Sequence, residues 1–211
     1  MTDIKNIVFD FGGVLIDLDQ NACINAFIQL GIDDVNKYLS DYTPNGIFRK
    51  LETGEISPEQ FRDNVRGLTK KTLSDAEIDN AWLALLLDVP DKKLEMLLNL
   101  RKKYRVFMLS NTNVIHIDYI IEKTFGRNNH VLDDYFEKVY FSYKTGYAKP
   151  DPDIFEFMLN DAGIKAEETL FIDDSEINIT AAKEMGFKTF QPKPFEDFSE
   201  IFESSDFSNF K

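Results

Sequence analysis

Asp10 ends an apolar run, Ile7-Val8-Phe9, and only Phe11 separates it from a glycine pair, Gly12-Gly13. That order is how a buried parallel strand hands a carboxylate to a sharp turn. Three further polar groups stand at or just beyond the ends of short apolar runs: Ser110-Asn111-Thr112, Lys149-Pro150 and Asp173-Asp174. Together the four supply a carboxylate, a hydroxyl with turn amides, an ammonium and a paired carboxylate. Phosphoryl transfer asks for that set, namely a nucleophile, donors for the equatorial oxygens and cations against the charge. Each piece also has a plain structural reading. Asp10 fits an ordinary turn, Ser110-Asn111-Thr112 and Asp173-Asp174 fit helix caps, and Lys149 fits a solvated surface charge. Those readings leave unexplained why all four would reach one edge of a sheet.

The elements that must carry these groups are read from periodicity. Strand-type runs fall at Ile4–Phe9, Arg105–Leu109, Lys138–Phe141, Thr169–Ile172 and Lys188–Phe190. Helix-type segments lie between the later runs, at Asp91–Lys103, Val114–Phe125, Asp153–Ala162 and Asn178–Met185. The alternation predicts an α/β fold, a Rossmann-like three-layer parallel sheet with helices on both faces. In such a sheet the carboxyl ends of the strands form the site.

The interval after the first strand breaks the alternation. Residues 16–90 contain only helix-like stretches, Ala22–Leu30, Gly46–Thr53, Pro58–Leu68 and Asp75–Leu87. Thr53-Gly54-Glu55-Ile56-Ser57-Pro58 shows a glycine stop, a serine N-cap and proline at the first helical position. A crossover needs only a dozen or so residues. The expectation is therefore an inserted helical cap over residues 16–90 and a core built from residues 1–15 and 91–211. Tyr42, Phe48, Arg49 and Glu52 lie in cap segments that could face the site, and Trp82 with Leu85 and Leu86 fits the cap's own core. In the tail, Phe195, Phe198 and Phe202 share one face of a helical pattern packed on the sheet, while Phe207 and Phe210 find no place in it.

The net charge of −13 over 211 residues argues against a polyanion binder, so neither nucleic acid nor an anionic membrane surface is expected as partner. The amino-terminal residues enter a strand without an export signal, and no apolar run is long enough to span a bilayer. The single cysteine, Cys23, excludes an internal disulfide and fits a reducing compartment, so a cytoplasmic protein is expected. His116 and His130 have no carboxylate or cysteine at ligand spacing and read as non-catalytic.

Four strings in order resemble the motifs of the haloacid dehalogenase-like (HAD) superfamily, in the group with a helical cap between the first two motifs. They are Phe9-Asp10-Phe11-Gly12-Gly13-Val14-Leu15, Leu109-Ser110-Asn111-Thr112, Lys149-Pro150-Asp151-Pro152 and Phe171-Ile172-Asp173-Asp174-Ser175-Glu176-Ile177-Asn178. The Asp-x-Gly form of the first string is most similar to sugar-phosphate phosphatases of the glucose-1-phosphatase type. The resemblance implies that Asp10 is the nucleophile that becomes an aspartyl phosphate, and that Mg²⁺ is the cofactor. It implies Asp10, the Gly12 carbonyl, Asp174 and Asp173 as the metal's neighbours, hard oxygen ligands of the kind Mg²⁺ takes. Two unit charges about 4 Å apart repel by roughly 4 kcal/mol at an effective dielectric of 20, a repulsion between Asp10 and a phosphate that bound magnesium reverses. It implies further that Ser110 and the Asn111 amide hold phosphoryl oxygens, that Lys149 neutralises the nucleophile and the transferring group, and that Asn178 steadies the metal loop.

Most phosphatases of that superfamily carry a second aspartate where this chain has Gly12. The help of a general acid and base is typically worth about 10²–10⁴-fold, or roughly 3–5 kcal/mol of barrier. Three explanations stay open: a leaving group that needs little protonation, such as that of a hexose 1-phosphate; a proton from Asp17 or Asp19; or a weak member that binds phosphate esters. A metal-independent 2-haloacid dehalogenase is a further alternative, against which the Asp173-Asp174 pair speaks. The partner expected is a small phosphorylated metabolite, and the protein a monomer or homodimer.

Overall fold

Strand β1 (Asn6–Phe9) is buried along its whole length and sends alternate side chains to opposite sides. Ile7 and Phe9 join one apolar cluster and Val8 joins another. That split makes the three layers. A computed structural model describes residues 3–32, 35 and 46–202. In it β1, β2 (Arg105–Ser110), β3 (Lys138–Phe141), β4 (Thr169–Ile172) and β5 (Lys188–Phe190) form one parallel sheet of order β3-β2-β1-β4-β5. The register pairs Phe9 with Met108 on one side and with Ile172 on the other. The strand order reverses between β1 and β4, the topological switch point where open α/β sheets bind ligands.

Helices α5 (Asp91–Leu100) and α6 (Val114–Ile120) cover the face of Ile7 and Phe9, with Leu94, Leu97, Ile117 and Ile120 in the cluster. Helices α7 (Pro152–Ala162) and α8 (Glu176–Glu184) cover the face of Val8, through Ile154, Phe155, Met158 and Ile179. Between β1 and α5 the described residues form α1 (Gln20–Gln29), α2 (Ile47–Glu52), α3 (Pro58–Arg66) and α4 (Asp75–Leu83). Ser57 and Ser74 cap α3 and α4 as reciprocal boxes with Gln60 and Glu77. These helices have an apolar cluster of their own, in which the Phe48 ring lies 5.5 Å from Phe27, 5.4 Å from Phe61 and 4.6 Å from Trp82. The segment is entered and left by paired chain: Asp19 N donates to Leu85 O at 2.8 Å and Leu87 N to Asp17 O at 3.0 Å. No described helix is long and apolar enough to cross a membrane.

Several expected boundaries shift, each for a local reason. The helix expected over Asp75–Leu87 stops at Leu83 because Leu86 leaves to bridge Leu18. The one expected over Val114–Phe125 turns after Ile120 into a π-helical stretch, Ile121–Phe125, where Gly126 N donates to Ile121 O at 3.2 Å. The tail differs more. Phe195 has φ +60° and is 68% exposed, so it does not share a helical face with Phe198 and Phe202. Asp197 accepts from Ser199 N and starts a 3₁₀ turn, Ser199–Phe202, only there. Phe198 and Phe202 still pack on Phe9, with centroids 6.5 and 6.0 Å away. Tyr42, Phe207 and Phe210 lie outside the described residues.

Candidate active site

Strand β1 delivers Asp10 to the carboxyl edge, and its backbone N–H still bonds to Ile172 O of β4 at 2.8 Å. Asp10 Oδ1 accepts from Phe11 N at 2.6 Å, which fixes the side chain over the start of the turn. The chain then reverses tightly: Leu15 N and Ile16 N both donate to Phe11 O, and Gly13 N donates to Ile16 O. Gly13 has φ +73°, a backbone that glycine adopts without a steric cost.

Lys149 reaches this edge from the segment after β3. Its ammonium is buried, 2.8 Å from Asp10 Oδ1 and 2.6 Å from Asp173 Oδ2. Its backbone is held by the Asn111 side chain, whose Nδ2 donates to Lys149 O and whose Oδ1 accepts from Lys149 N, both at 2.8 Å. Asn111 at the end of β2 thus fixes the lysine through its amide side chain, a role that its place beside Ser110 does not announce.

Asp173 is fully buried and saturated with donors. Besides Lys149, it accepts from Ser175 N at 2.9 Å and from Asn178 Nδ2 at 3.0 and 3.1 Å to its two oxygens. Asp174 is exposed, and carboxylate oxygens of Asp10, Asp173 and Asp174 all lie within 4.8 Å of one another. The formal charges are three negative and, with Lys149, one positive. The balance of minus two matches one divalent cation, and the oxygen-only donor set fits Mg²⁺. Burial pushes the Asp10 carboxyl up to about 7, with Lys149 pulling it down and Asp173 and Asp174 pushing it further up. Burial works against the Lys149 ammonium, but Asp10 and Asp173 outweigh it and raise its pKa. The lysine stays charged and the carboxylates crowd, the condition a cation relieves.

Ser110, the last residue of β2, is buried, and its Oγ lies 3.5 Å from Asn111 O, a long contact that leaves donor capacity to spare. Thr112 N, one turn position further, donates instead to Ser142 Oγ at 2.9 Å. Ser142 also reaches Glu52 O at 2.5 Å, so one hydroxyl joins the β2 turn to the end of α2. Nothing in the local sequence around Ser142 marks it, because the bond partners are 30 and 90 residues away.

Other expected participants sit elsewhere. Asp19 spends its carboxylate as the N-cap of α1, accepting from Ala22 N at 2.8 Å, and Asp17 lies 3.8 Å from Lys93. Phe48 is buried in the cluster of α1–α4 and does not face the edge. His116 is buried, its ring 4.4 Å from Trp82, with Nε2 3.2 Å from Trp82 O. Burial pushes its pKa down to about 4, so it is a neutral packing group. His130 pairs with Asp134 at the surface.

Comparison with known proteins bears on this arrangement. The family described as haloacid dehalogenase-like hydrolases matches residues 4–186. The chain is 44% identical over 190 residues to the D-ribitol-5-phosphate phosphatase of Bacteroides thetaiotaomicron, covering 90% of this chain and 92% of that protein. A HAD family enzyme of Bacteroides thetaiotaomicron, crystallised with magnesium and inorganic phosphate, superposes with a TM-score of 0.90 at 46% identity, over 94% of this chain and 99% of the other. A HAD-like hydrolase of Porphyromonas gingivalis gives 0.88 at 38% identity, over 95% and 96%.

Proposed function

This chain belongs to the haloacid dehalogenase-like hydrolases, and from that premise we propose that it is a magnesium-dependent phosphatase of small sugar and polyol phosphates, working through Asp10. One observation carries the reading: Asp10, Asp173 and Asp174 converge within 4.8 Å, with the buried Lys149 bridging the first two. The metal-independent dehalogenase alternative has no use for Asp174 beside Asp10. Magnesium, when held by Asp10, Asp174 and the Gly12 carbonyl with Asp173 behind them, supplies positive charge where the phosphate and the nucleophile would repel.

The chain's own residues do the rest. The Oδ of Asp10 not turned to Lys149 attacks phosphorus as the P–O ester bond breaks, and the departing alkoxide oxygen takes its proton from solvent water. Water then cleaves the acyl phosphate, returning the Asp10 carboxylate and inorganic phosphate. Ser110 Oγ and the Asn111 backbone N–H donate to equatorial oxygens, and Lys149 favours the ionised form of Asp10 and orients it. The Asn111 side chain, unlike its backbone N–H, acts one step out with Asn178, fixing the Lys149 backbone and the Asp173 carboxylate. Residues 16–90 serve as a helical cap on a core of residues 1–15 and 91–211, a division supported by the separate apolar cluster and the Leu18–Leu86 bridge at the linkers.

For the substrate, the ribitol phosphatase likeness favours an open-chain polyol 5-phosphate. Gly12, which offers no proton, favours the hexose 1-phosphates instead, whose anomeric oxygen leaves more easily. The buried Cys23, its thiol pushed up to about 12 by burial, is inert and takes no part in the chemistry. Initial rates with magnesium on D-ribitol 5-phosphate, glucose 1-phosphate and glycerol phosphate test the proposal. Turnover of the first above the others is expected, glucose 1-phosphate in front selects the second reading, and no turnover of any ester removes both.

A further inference from the structure

Among the described residues the fold buries two lysines, Lys149 and Lys93. Lys149 belongs to the site. Lys93, 6% exposed on the first turn of α5, has no part in the mechanism above. Its Nζ donates to Val14 O at 2.6 Å, lies 3.8 Å from Asp17 Oδ1, and stands over the Phe198 ring at 5.6 Å. Burying an ammonium is costly unless it is paired and hydrogen-bonded, so a methionine of similar length would be the cheaper filler.

The two partners of Lys93 have meaning in the fold. Val14 lies inside the turn that leaves Asp10, closed by the bonds from Leu15, Ile16 and Gly13. Asp17 begins the paired linkers, its carbonyl accepting from Leu87 N. Lys93 itself comes from the helix that starts where the return linker ends. One ammonium therefore meets the nucleophile's turn, the outgoing linker and the core helix at a single point.

We infer that Lys93 is a positioning residue that ties the nucleophile's turn to the linkers of the inserted segment, so that the Gly12–Gly13 backbone keeps its place beside Asp10 and Asp174. It touches no reacting atom and acts through Val14 and Asp17. The inference rests on the phosphatase reading for its kinetic part, and an exchange measurement judges it separately. In the magnesium-loaded full chain, Lys93→Met is expected to keep its fold and lower kcat at least tenfold on whichever ester the wild type turns over. KM should stay within threefold, because substrate contacts are untouched. Amide hydrogen exchange at Gly13, Ile16 and Leu87 should quicken while that of β4 stays unchanged. Asp17→Asn should lower kcat about threefold, and the double variant should lose less than the product of the two. Wild-type kcat in folded Lys93→Met, or unchanged exchange in the turn, overturns the inference. Should Lys93→Met not fold, Asp17→Asn decides alone, and wild-type kcat with unchanged exchange at Leu87 is the overturning result. A wild type without turnover removes the phosphatase reading, and the exchange rates still decide the role of Lys93.

Discussion

A Cβ on Gly13 would lie 2.3 Å from Asp174 Oδ2, so the second acidic strand end packs directly on the backbone of the first turn. The two residues are more than 160 positions apart, yet a side chain at position 13 cannot be added without moving Asp174. The glycine is needed twice, for its φ of +73° and for the space that the carboxylate fills.

Gly13→Ala is therefore expected to displace Asp174, weakening magnesium affinity at least tenfold and destabilising the fold by about 1–3 kcal/mol. Gly12→Ala makes the matched control. Its Cβ would meet only the tip of Leu18, at 3.2 Å, and Gly12 does not have a positive φ. Magnesium titrations followed by thermal melts of the two variants should separate them, and equal behaviour would refute the packing argument.

Asp10→Asn should abolish hydrolysis, by about 10³-fold or more, because an amide is no nucleophile toward phosphorus. The fold should survive, with stability less dependent on pH below 7 than in the wild type. Burial holds the Asp10 carboxyl near 7, above its unfolded value, so its stabilising contribution is complete at low pH and lost as pH rises through 7. An asparagine avoids that loss. Steady-state rates, and the difference in pH slope between melts of the two proteins in magnesium-free buffer from about pH 4 to 8, check both halves.

Magnesium should raise the melting temperature of the wild type, since a ligand at a hundredfold its Kd stabilises by about 2.7 kcal/mol. The rise should be largely absent in Asp174→Asn. Chelation should stop turnover in the wild type, and turnover that survives it would revive metal-independent chemistry. Calorimetry with and without chelator measures the difference.

His116 makes an acid-labile contribution to stability, opposite in sign to that of Asp10. Its folded pKa of about 4 lies below the ordinary 6.5, so the unfolded chain binds more protons between those values. Its own contribution, roughly 3 kcal/mol, should be complete above pH 6.5 and fall as pH drops toward 4. Denaturant melts of wild type and His116→Phe across that window isolate the contribution as the difference in their pH slopes.

Asp19→Asn should leave both stability and kcat unchanged, because asparagine caps a helix as well as aspartate. Asp19→Ala should cost about 0.5–2 kcal/mol with kcat again unchanged. A large loss of kcat in Asp19→Asn would instead make it the proton donor that Gly12 is not.

The strands β3, β4 and β5 were legible residue by residue, because a buried parallel strand is a continuous apolar run and its ends are marked by turn chemistry. So were the polar groups beyond those strands, since a doubly wound sheet brings all its carboxyl ends to one edge whatever the crossovers contain. Chain order and residue type alone thus determined the sheet, the inserted segment and the identity of Asp10, Lys149 and Asp173 as neighbours on that edge. What only the tertiary structure decided are contacts whose partners no local pattern links: Asp174 seated on Gly13, Asn111 clasping the Lys149 backbone, Ser142 joining Thr112 to Glu52, and Lys93 bracing Val14. Periodicity reports which face a side chain takes, and it carries no information on which polar atom, far along the chain, will stand within three ångströms once the faces are packed.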